Sequence, residues 1–374
     1  MEDNDIHILI LSSWYPSKEH PFLGNFVERQ ARLLGKRYKV TVVHTVAKDG
    51  GAIEFKKSKK TEFNEILVKY NGNGHIFARK KQERAALIRG IDSLDNVNLI
   101  IGNVLLPRGW QFLVARKNFG CPVYYIEHGS YFRPKGPFKW GRMHHWILGQ
   151  IRKKSTEIIA VSDFLKADMQ PNFKKREINV IGNHIDINLF SVKPKVKNDK
   201  TQFLHVSTFD HNTKNPDGII EAVELLKKEN ANFKLTIICD EDIADWIKHC
   251  EELGLNDVIE FIGPLQWHEL APYYHASDAF LLFSDYETFS IVLAEAWASG
   301  TPVISTSVGI ANGMSSELGI QVEKGISEDL KNAMLQFMNS EVQFDQNKLA
   351  AKAAEYSSAS ILNEWTKLVS KHVG

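Results

Sequence analysis

Short apolar, β-branched runs alternate with longer amphipathic stretches along the whole chain, and this alternation limits the fold more than any other feature. Runs of that length suit buried parallel strands, and the stretches between them suit the crossover helices that parallel pairing demands. In the first half the predicted strands are Ile6–Leu11, Val40–Thr45, Asn98–Ile101, Val123–Ile126, Ile158–Val161 and Asn179–Ile181. Helical patterns lie over Asn25–Gly35, Arg108–Asn118 and Lys139–Lys153. In the second half the strands are Phe203–Val206, Lys234–Cys239, Val258–Phe261, Ala279–Phe283, Val303–Ser305 and Ile320–Val322. Helices there cover Pro216–Lys228, Ile243–Leu253, Trp267–His275 and Phe289–Ser299.

A chain of 374 residues exceeds one comfortable core. The pattern therefore predicts the α/β class, as two Rossmann-like, doubly wound parallel-sheet domains with a ligand cleft between them. The boundaries read as residues 1–185, a linker over 186–200, a second domain over 201–345, and a helical tail over 346–374. The linker, DINLFSVKPKVKNDK, loses periodicity and carries Pro and Lys. The tail has no strand to follow it and is expected to pack back towards the first domain. Residues 50–73 are the least regular and read as an excursion with an edge hairpin.

Lys+Arg 46 against Asp+Glu 45 gives a net charge of +1, which argues against nucleic acid as a partner bound through a dominant positive field. The cysteines Cys121, Cys239 and Cys250 form no CxxC pair, and three cannot all be paired, so a reducing, cytoplasmic setting is expected. No segment reaches the roughly 20 apolar residues that span a bilayer. Membrane contact, if any, is expected to be peripheral.

The chemistry concentrates in residues 283–303, FSDYETFSIVLAEAWASGTPV. A strand ends near Phe283, a polar loop holds Glu287, a helix starts near Phe289, and Gly300-Thr301-Pro302 ends it. The first-turn N–H groups around Phe289, Ser290 and Ile291 attract an anion through unsatisfied donors and the macrodipole. At ~1.5 Å per residue, Glu287 and Glu295 lie on the order of 10 Å apart, a span that suits a nucleotide sugar. A carboxylate is the natural bidentate acceptor for a vicinal diol. Spacing alone leaves open an N-terminal Glu favoured by the dipole and an ordinary helix-surface Glu.

This segment resembles the Glu-x7-Glu motif, with its following Glu-Ala-x-Ala-x-Gly-x-Pro-Val, of the retaining family 4 glycosyltransferases of GT-B fold, the bacterial group 1 glycosyl transferase type. The resemblance implies that Glu287 contacts the donor sugar and Glu295 the ribose, with Thr288 and Ser290 fitting the family's small positions around Phe289. HVSTFDHNTKNPDGIIEA (residues 205–222) resembles the family's phosphate loop and places Lys214 on the diphosphate. As a compact cation it would stabilise charge developing on the leaving phosphate. Many members carry an Arg a few residues earlier, where this chain has Asp210-His211-Asn212. Pro264, Leu265 and Gln266 fall where the family's loop underlies the base. Gly24 and Asn25, in the loop that opens the first long helix, fall where backbone approaches the donor phosphates. Glu127-His-Gly-Ser-Tyr131 matches a segment whose histidine contacts the transferred sugar, here His128. Residues 180–186 with Phe190 resemble the interdomain signature.

The resemblance implies transfer with retention of a hexose-type sugar from a nucleotide-diphosphate donor, UDP or GDP, with no cofactor. No metal is expected, because no aspartate pair suits one and Asp240-Glu241-Asp242 reads as a solvated turn. The acceptor is expected to be a glycan or a lipid-linked glycan, in cell-surface polysaccharide synthesis. Residues 133–154 mix Trp140, Met143, Trp146 and Ile147 with Lys139, Arg142 and Arg152–Lys154; a helix burying its stripe in the first domain is the preferred reading, and a helix on an anionic membrane the alternative. A nucleotide-sugar epimerase of the same architecture, or a non-catalytic binding paralogue, are the rival readings. A nicotinamide dehydrogenase is disfavoured because no GxGxxG follows a first strand.

Overall fold

Every residue of β1 (His7–Ser12) is buried, as a strand covered on both faces requires. After it come α1 (Asn25–Gly35), β2 (Lys39–Lys48), β3 (Glu54–Lys59) and β4 (Asn64–Asn71). They lead to α2 (Ile76–Ile91), β5 (Leu99–Asn103), α3 (Trp110–Phe119) and β6 (Val123–Glu127). Last are α4 (Arg142–Lys154), β7 (Glu157–Ala160), α5 (Asp163–Phe173) and β8 (Asn179–Val180). The sheet order is β3-β4-β2-β1-β5-β6-β7-β8, and β3 alone runs antiparallel to its neighbour. Strand order reverses between β1 and β5, where Ser12 lies in register with Asn103.

This computed structural model describes residues 5–17, 21–106, 109–195, 198–240 and 242–373. The chain divides into two units, Met1–Asn183 with Ile361–Gly374, and His184–Ser360.

The second unit contains β9 (Thr201–Ser207), α6 (Pro216–Glu229), β10 (Phe233–Cys239), α7 (Ala244–Glu252) and β11 (Ile259–Ile262). These lead to α8 (Ala271–Ala276), β12 (Ala279–Leu282), α9 (Ile291–Ala298), β13 (Val303–Thr306) and β14 (Gly319–Val322). α10 (Ser327–Met338) and α11 (Gln346–Ala354) close it, before α12 (Ser358–Ser370). Its sheet, in order β11-β10-β9-β12-β13-β14, is parallel throughout. That is the doubly wound order in which the sheet turns between its first and fourth strands, here β9 and β12. Phe203, Phe233, Leu235, Ile237 and Leu281 meet Ile219, Val223 and Leu226 of α6 in one core. Each such burial contributes about 1.5–3 kcal/mol.

Several sequence expectations shift. The edge hairpin expected within residues 50–73 forms from β3 and β4, but it is no excursion, because β4 pairs in parallel with β2 from Thr41 to Lys48. α2 and α5 lie where no helix was read. The helix expected over 267–275 splits into a 3-10 turn, Trp267–Glu269, and α8, because Pro272 suits a first turn but not an interior. The helical tail breaks between α11 and α12. α12 buries Ile361, Trp365 and Val369, and the Tyr124 hydroxyl donates to Leu368 O at 2.8 Å.

The linker is anchored despite its composition. The Asp186 carboxylate accepts the N–H groups of Asn188 and Leu189 at 3.0 and 3.2 Å. Phe190 is fully buried edge-on to Tyr274, and Lys195 donates to Thr301 Oγ1 at 3.1 Å. Residues 196 and 197 lie outside the described set, as do Glu241 of the acidic run and residues 18–20 of the loop before Gly24. No helix among the described residues is long and apolar enough to cross a membrane.

Candidate functional site

In the second unit the loops after β9 and β12 meet where the strand order turns, the position at which doubly wound sheets bind ligands. The β9 loop is built by Asp210. Its carboxylate accepts the N–H groups of Asn212 and Thr213 at 2.9 and 3.1 Å, and the hydroxyls of Thr208 and Thr213 at 3.0 and 2.7 Å. Burial pushes its pKa up, but the Thr213 and Thr208 bonds and the Lys214 charge together hold it below the ordinary value. Asp210, the first of the three residues that stand where the resemblance puts an Arg, therefore serves the loop's shape. Thr213 O in turn accepts Asp285 N–H at 2.7 Å, which ties this loop to the one after β12.

Lys214 leaves that loop and reaches Glu287, Nζ to Oε1 2.5 Å. The Ser284 hydroxyl donates to the same oxygen at 2.8 Å. Beneath them His205 bridges β9 to β12: Nδ1 bonds Leu281 O at 2.9 Å and Nε2 bonds Ser207 Oγ at 2.7 Å. Burial lowers its pKa to about 4, with Lys214 adding to the effect, so the imidazole is neutral.

α9 begins at Ile291, two residues later than expected, because Ser290 caps it in the left-handed region at φ 78°. Phe289 therefore belongs to the loop. Its ring is buried edge-on to Tyr356, so only its backbone faces the turn. Ser290 is 7% exposed, and its Oγ has no hydrogen-bond partner among the described residues. Gly309 holds this turn: its φ is 52°, and a Cβ there would lie 2.5 Å from Phe289 O. Glu295 is only 2% exposed, with the Tyr274 hydroxyl 3.4 Å from Oε2. The ordinary surface-Glu alternative is thereby excluded.

In the first unit Gly24 caps α1 with φ 72°, and a Cβ there would lie 2.5 Å from the Trp14 carbonyl, so the turn requires glycine. Asn25 opens the helix, and the next residue, Phe26, stacks on the His128 ring at 4.3 Å. His128 Nε2 donates to Asn103 Oδ1 at 2.9 Å, and Asn103 Nδ2 donates to Gln30 Oε1 at 2.9 Å. This buried chain fixes the Nε2–H tautomer, and burial lowers the His128 pKa to about 3. Glu127, fully buried, accepts the N–H groups of His128 and Gly129 at 2.9 and 2.7 Å and the Tyr125 hydroxyl. Burial raises its pKa to about 7.

The structure thus joins Lys214 to Glu287, sets Thr288 through Ile291 between the two glutamates, and brings the Gly24–Phe26 turn to His128. Leu265, half-buried beyond β11, takes no part in the contacts around Lys214. The sequence reading missed Ser284, Asp210, Gly309 and the Gln30–Asn103 pair, although Asp-x-x-Thr at 210–213 is a loop-forming signature. The basic-aromatic stripe divides: α4 buries Ile147 with Leu148 and Ile151, while Met143 and Trp146 are 57% and 49% exposed.

Known proteins share this chain's sequence pattern and fold. The profile of the family described as "Glycosyl transferases group 1" matches residues 186–358, and that of "Glycosyltransferase Family 4" matches residues 23–189. An uncharacterized glycosyltransferase of Methanocaldococcus jannaschii is 33% identical over 172 residues, 42% of this chain and 43% of that protein. A second from the same organism is 25% identical over 342 residues, covering 89% of this chain and 90% of its own length. Among solved structures, sucrose-phosphate synthase from Thermosynechococcus elongatus superposes with a TM-score of 0.74 at 16% identity, over 98% of each chain. HepE from Anabaena, solved in complex with UDP, gives 0.72 at 15% identity, over 98% of this chain and 100% of that one. With both of its halves matched in turn and its two parallel sheets in the GT-B arrangement of elements, the chain belongs to the group 1, family 4 glycosyltransferases.

Proposed function

We propose that the protein transfers a hexose-type sugar, with retention and without a metal, from a UDP- or GDP-sugar to a glycan or lipid-linked acceptor. The carrying observation is the Lys214–Glu287 contact at the turn of the second sheet. Glu287 Oε1 takes both Lys214 and Ser284, which leaves Oε2 for a hydroxyl of the donor sugar. In this reading Lys214 meets the diphosphate, and the α9 start adds N–H donors and the buried Ser290 hydroxyl. Glu295, one turn further, takes the ribose diol. His128, neutral and locked, offers a sugar hydroxyl a fixed partner without adding charge.

Under this reading the acceptor hydroxyl attacks from the leaving-group side and its proton passes to the departing phosphate. One bond forms at the anomeric carbon as the bond to phosphate breaks. UDP is the first choice of donor nucleotide, since HepE is solved with UDP and with UDP and glucose. A role in surface polysaccharide synthesis at a membrane face would bring the enzyme to a lipid-linked acceptor.

The test is thermal stability against UDP, GDP and their sugar conjugates, with EDTA throughout. A nucleotide at 100-fold over its Kd stabilises by about 2.7 kcal/mol. Glu295→Ala is expected to lose that shift. A shift that appears only when metal is restored would overturn the metal-free site.

A further inference from the structure

The most exposed apolar side chains of the described residues stand together at the start of α2, where Phe77 is 78% and Ile76 60% exposed. The buried residues of α2 are Glu83, Ala86, Leu87, Gly90 and Ile91, so its first two turns overhang the sheet. Its C-terminal half is the seated part: a Cβ at Gly90 would lie 2.7 Å from Val43 Cγ1. Arg79, Lys80, Lys81 and Arg84 follow on the overhang, all exposed. No side-chain hydrogen bond or ion pair among the described residues holds any of the four. The first turn carries no acid.

This arrangement works against the helix by itself. Cations near a helix N-terminus oppose the macrodipole, and acids there would favour it. An exposed Phe and Ile at the tip gain nothing from packing. Both features become favourable against a surface that is negatively charged and has an apolar layer beneath the charge. A nucleic acid duplex offers the charge but no apolar layer beneath it for Ile76 and Phe77 to enter.

We propose that the α2 overhang docks the protein on an anionic lipid surface, with Ile76 and Phe77 entering the headgroup boundary and Arg79, Lys80, Lys81 and Arg84 meeting the lipid phosphates. The purpose of this docking rests on the lipid-side acceptor reading above, but its test reads binding alone, so failure of one is distinguishable from failure of the other. The chain's net charge of only +1 makes the attraction a property of this patch and not of the whole protein.

The experiment is co-sedimentation of the full chain with vesicles of phosphatidylcholine containing phosphatidylglycerol, and with phosphatidylcholine alone. Binding is expected to the first, to fall with salt, and to be weak or absent with the second. Each cation near an anionic surface is worth roughly fivefold in binding, so Lys80→Glu with Lys81→Glu is expected to abolish it. Ile76→Ser with Phe77→Ser is expected to weaken it about tenfold or more. Because all four positions are exposed, an unchanged melting temperature and nucleotide shift show that the variants fold. Equal binding by these variants and the wild type overturns the proposal. So does loss of binding only in Met143→Ser with Trp146→Ser, which moves the contact to α4, and so does binding to a short DNA duplex as strong as to the anionic vesicles.

Discussion

Lys214 and Glu287 expose only 17% and 11% of their side chains. Removing one partner of such a pair leaves the other charge poorly solvated, which costs more than the intact pair contributes. Lys214→Ala is therefore expected to lower kcat/KM for transfer by about 10²–10³-fold, the loss typical of a donor aimed at developing charge. Steady-state kinetics with a saturating acceptor checks it, and a fall in melting temperature without a kinetic change would make the pair purely structural. Glu127 carries a pH prediction. Its folded pKa, about 7, stands above the ordinary 4.5 because of burial. Its contribution is thus fully present below pH 4.5 and lost as pH rises through 7, on the order of 3 kcal/mol in all. Glu127→Gln has no such proton to lose, so the wild type's melting temperature should decline relative to the variant's across that window. A difference that does not change with pH would mean that the carboxyl ionises normally in its buried site.

α9 shows how far a sequence carries at the scale of an element, and where it stops. Its end was legible, because Gly300 with φ 71° followed by Pro302 can only terminate a helix. Its start was not. Ser290 takes a left-handed conformation that a serine seldom adopts, and the turn is held by Gly309, nineteen residues later, through Ile310 N–H to Phe289 O at 2.9 Å. A contact so distant leaves no local signal. α2 was missed for a related reason: its overhanging turns have no buried face, so they show no apolar period. The glutamate pair and Lys214 could be singled out only through contiguous motifs that resemble the family's, since their spacing alone left an ordinary Glu and a solvated Lys open, whereas Ser284 and Asp210 matter only once two loops meet. The Gly309 contact yields a prediction. Gly309→Ala puts a Cβ against Phe289 O and must displace the turn before α9. Nucleotide affinity should drop about tenfold or more, the change expected when an anion site loses its preset backbone donors. Calorimetric titration of UDP or GDP measures it, and an unchanged Kd would show that the turn is not part of the donor site.

The chain leaves its first unit at Asn183 and returns to it at Ile361, so the unit's integrity depends on a helix that follows the whole of the second. Trp365 of α12 is 1% exposed. Nearby, Lys371 and His372 bond Glu157 at 3.1 and 2.5 Å, closing the tail onto β7. Trp365→Ala removes the largest side chain of that contact, and a cavity of this kind costs about 3–5 kcal/mol. The cost falls on the first unit, while Lys214, Glu287, Ser290 and Glu295 all lie in the second. Differential scanning calorimetry of the variant should therefore show a transition moved down by several degrees and a second one still raised by nucleotide. If instead both transitions move together and nucleotide no longer protects either, the two units unfold as one cooperative body, and the donor site depends on the first unit's packing as well as on its own loops.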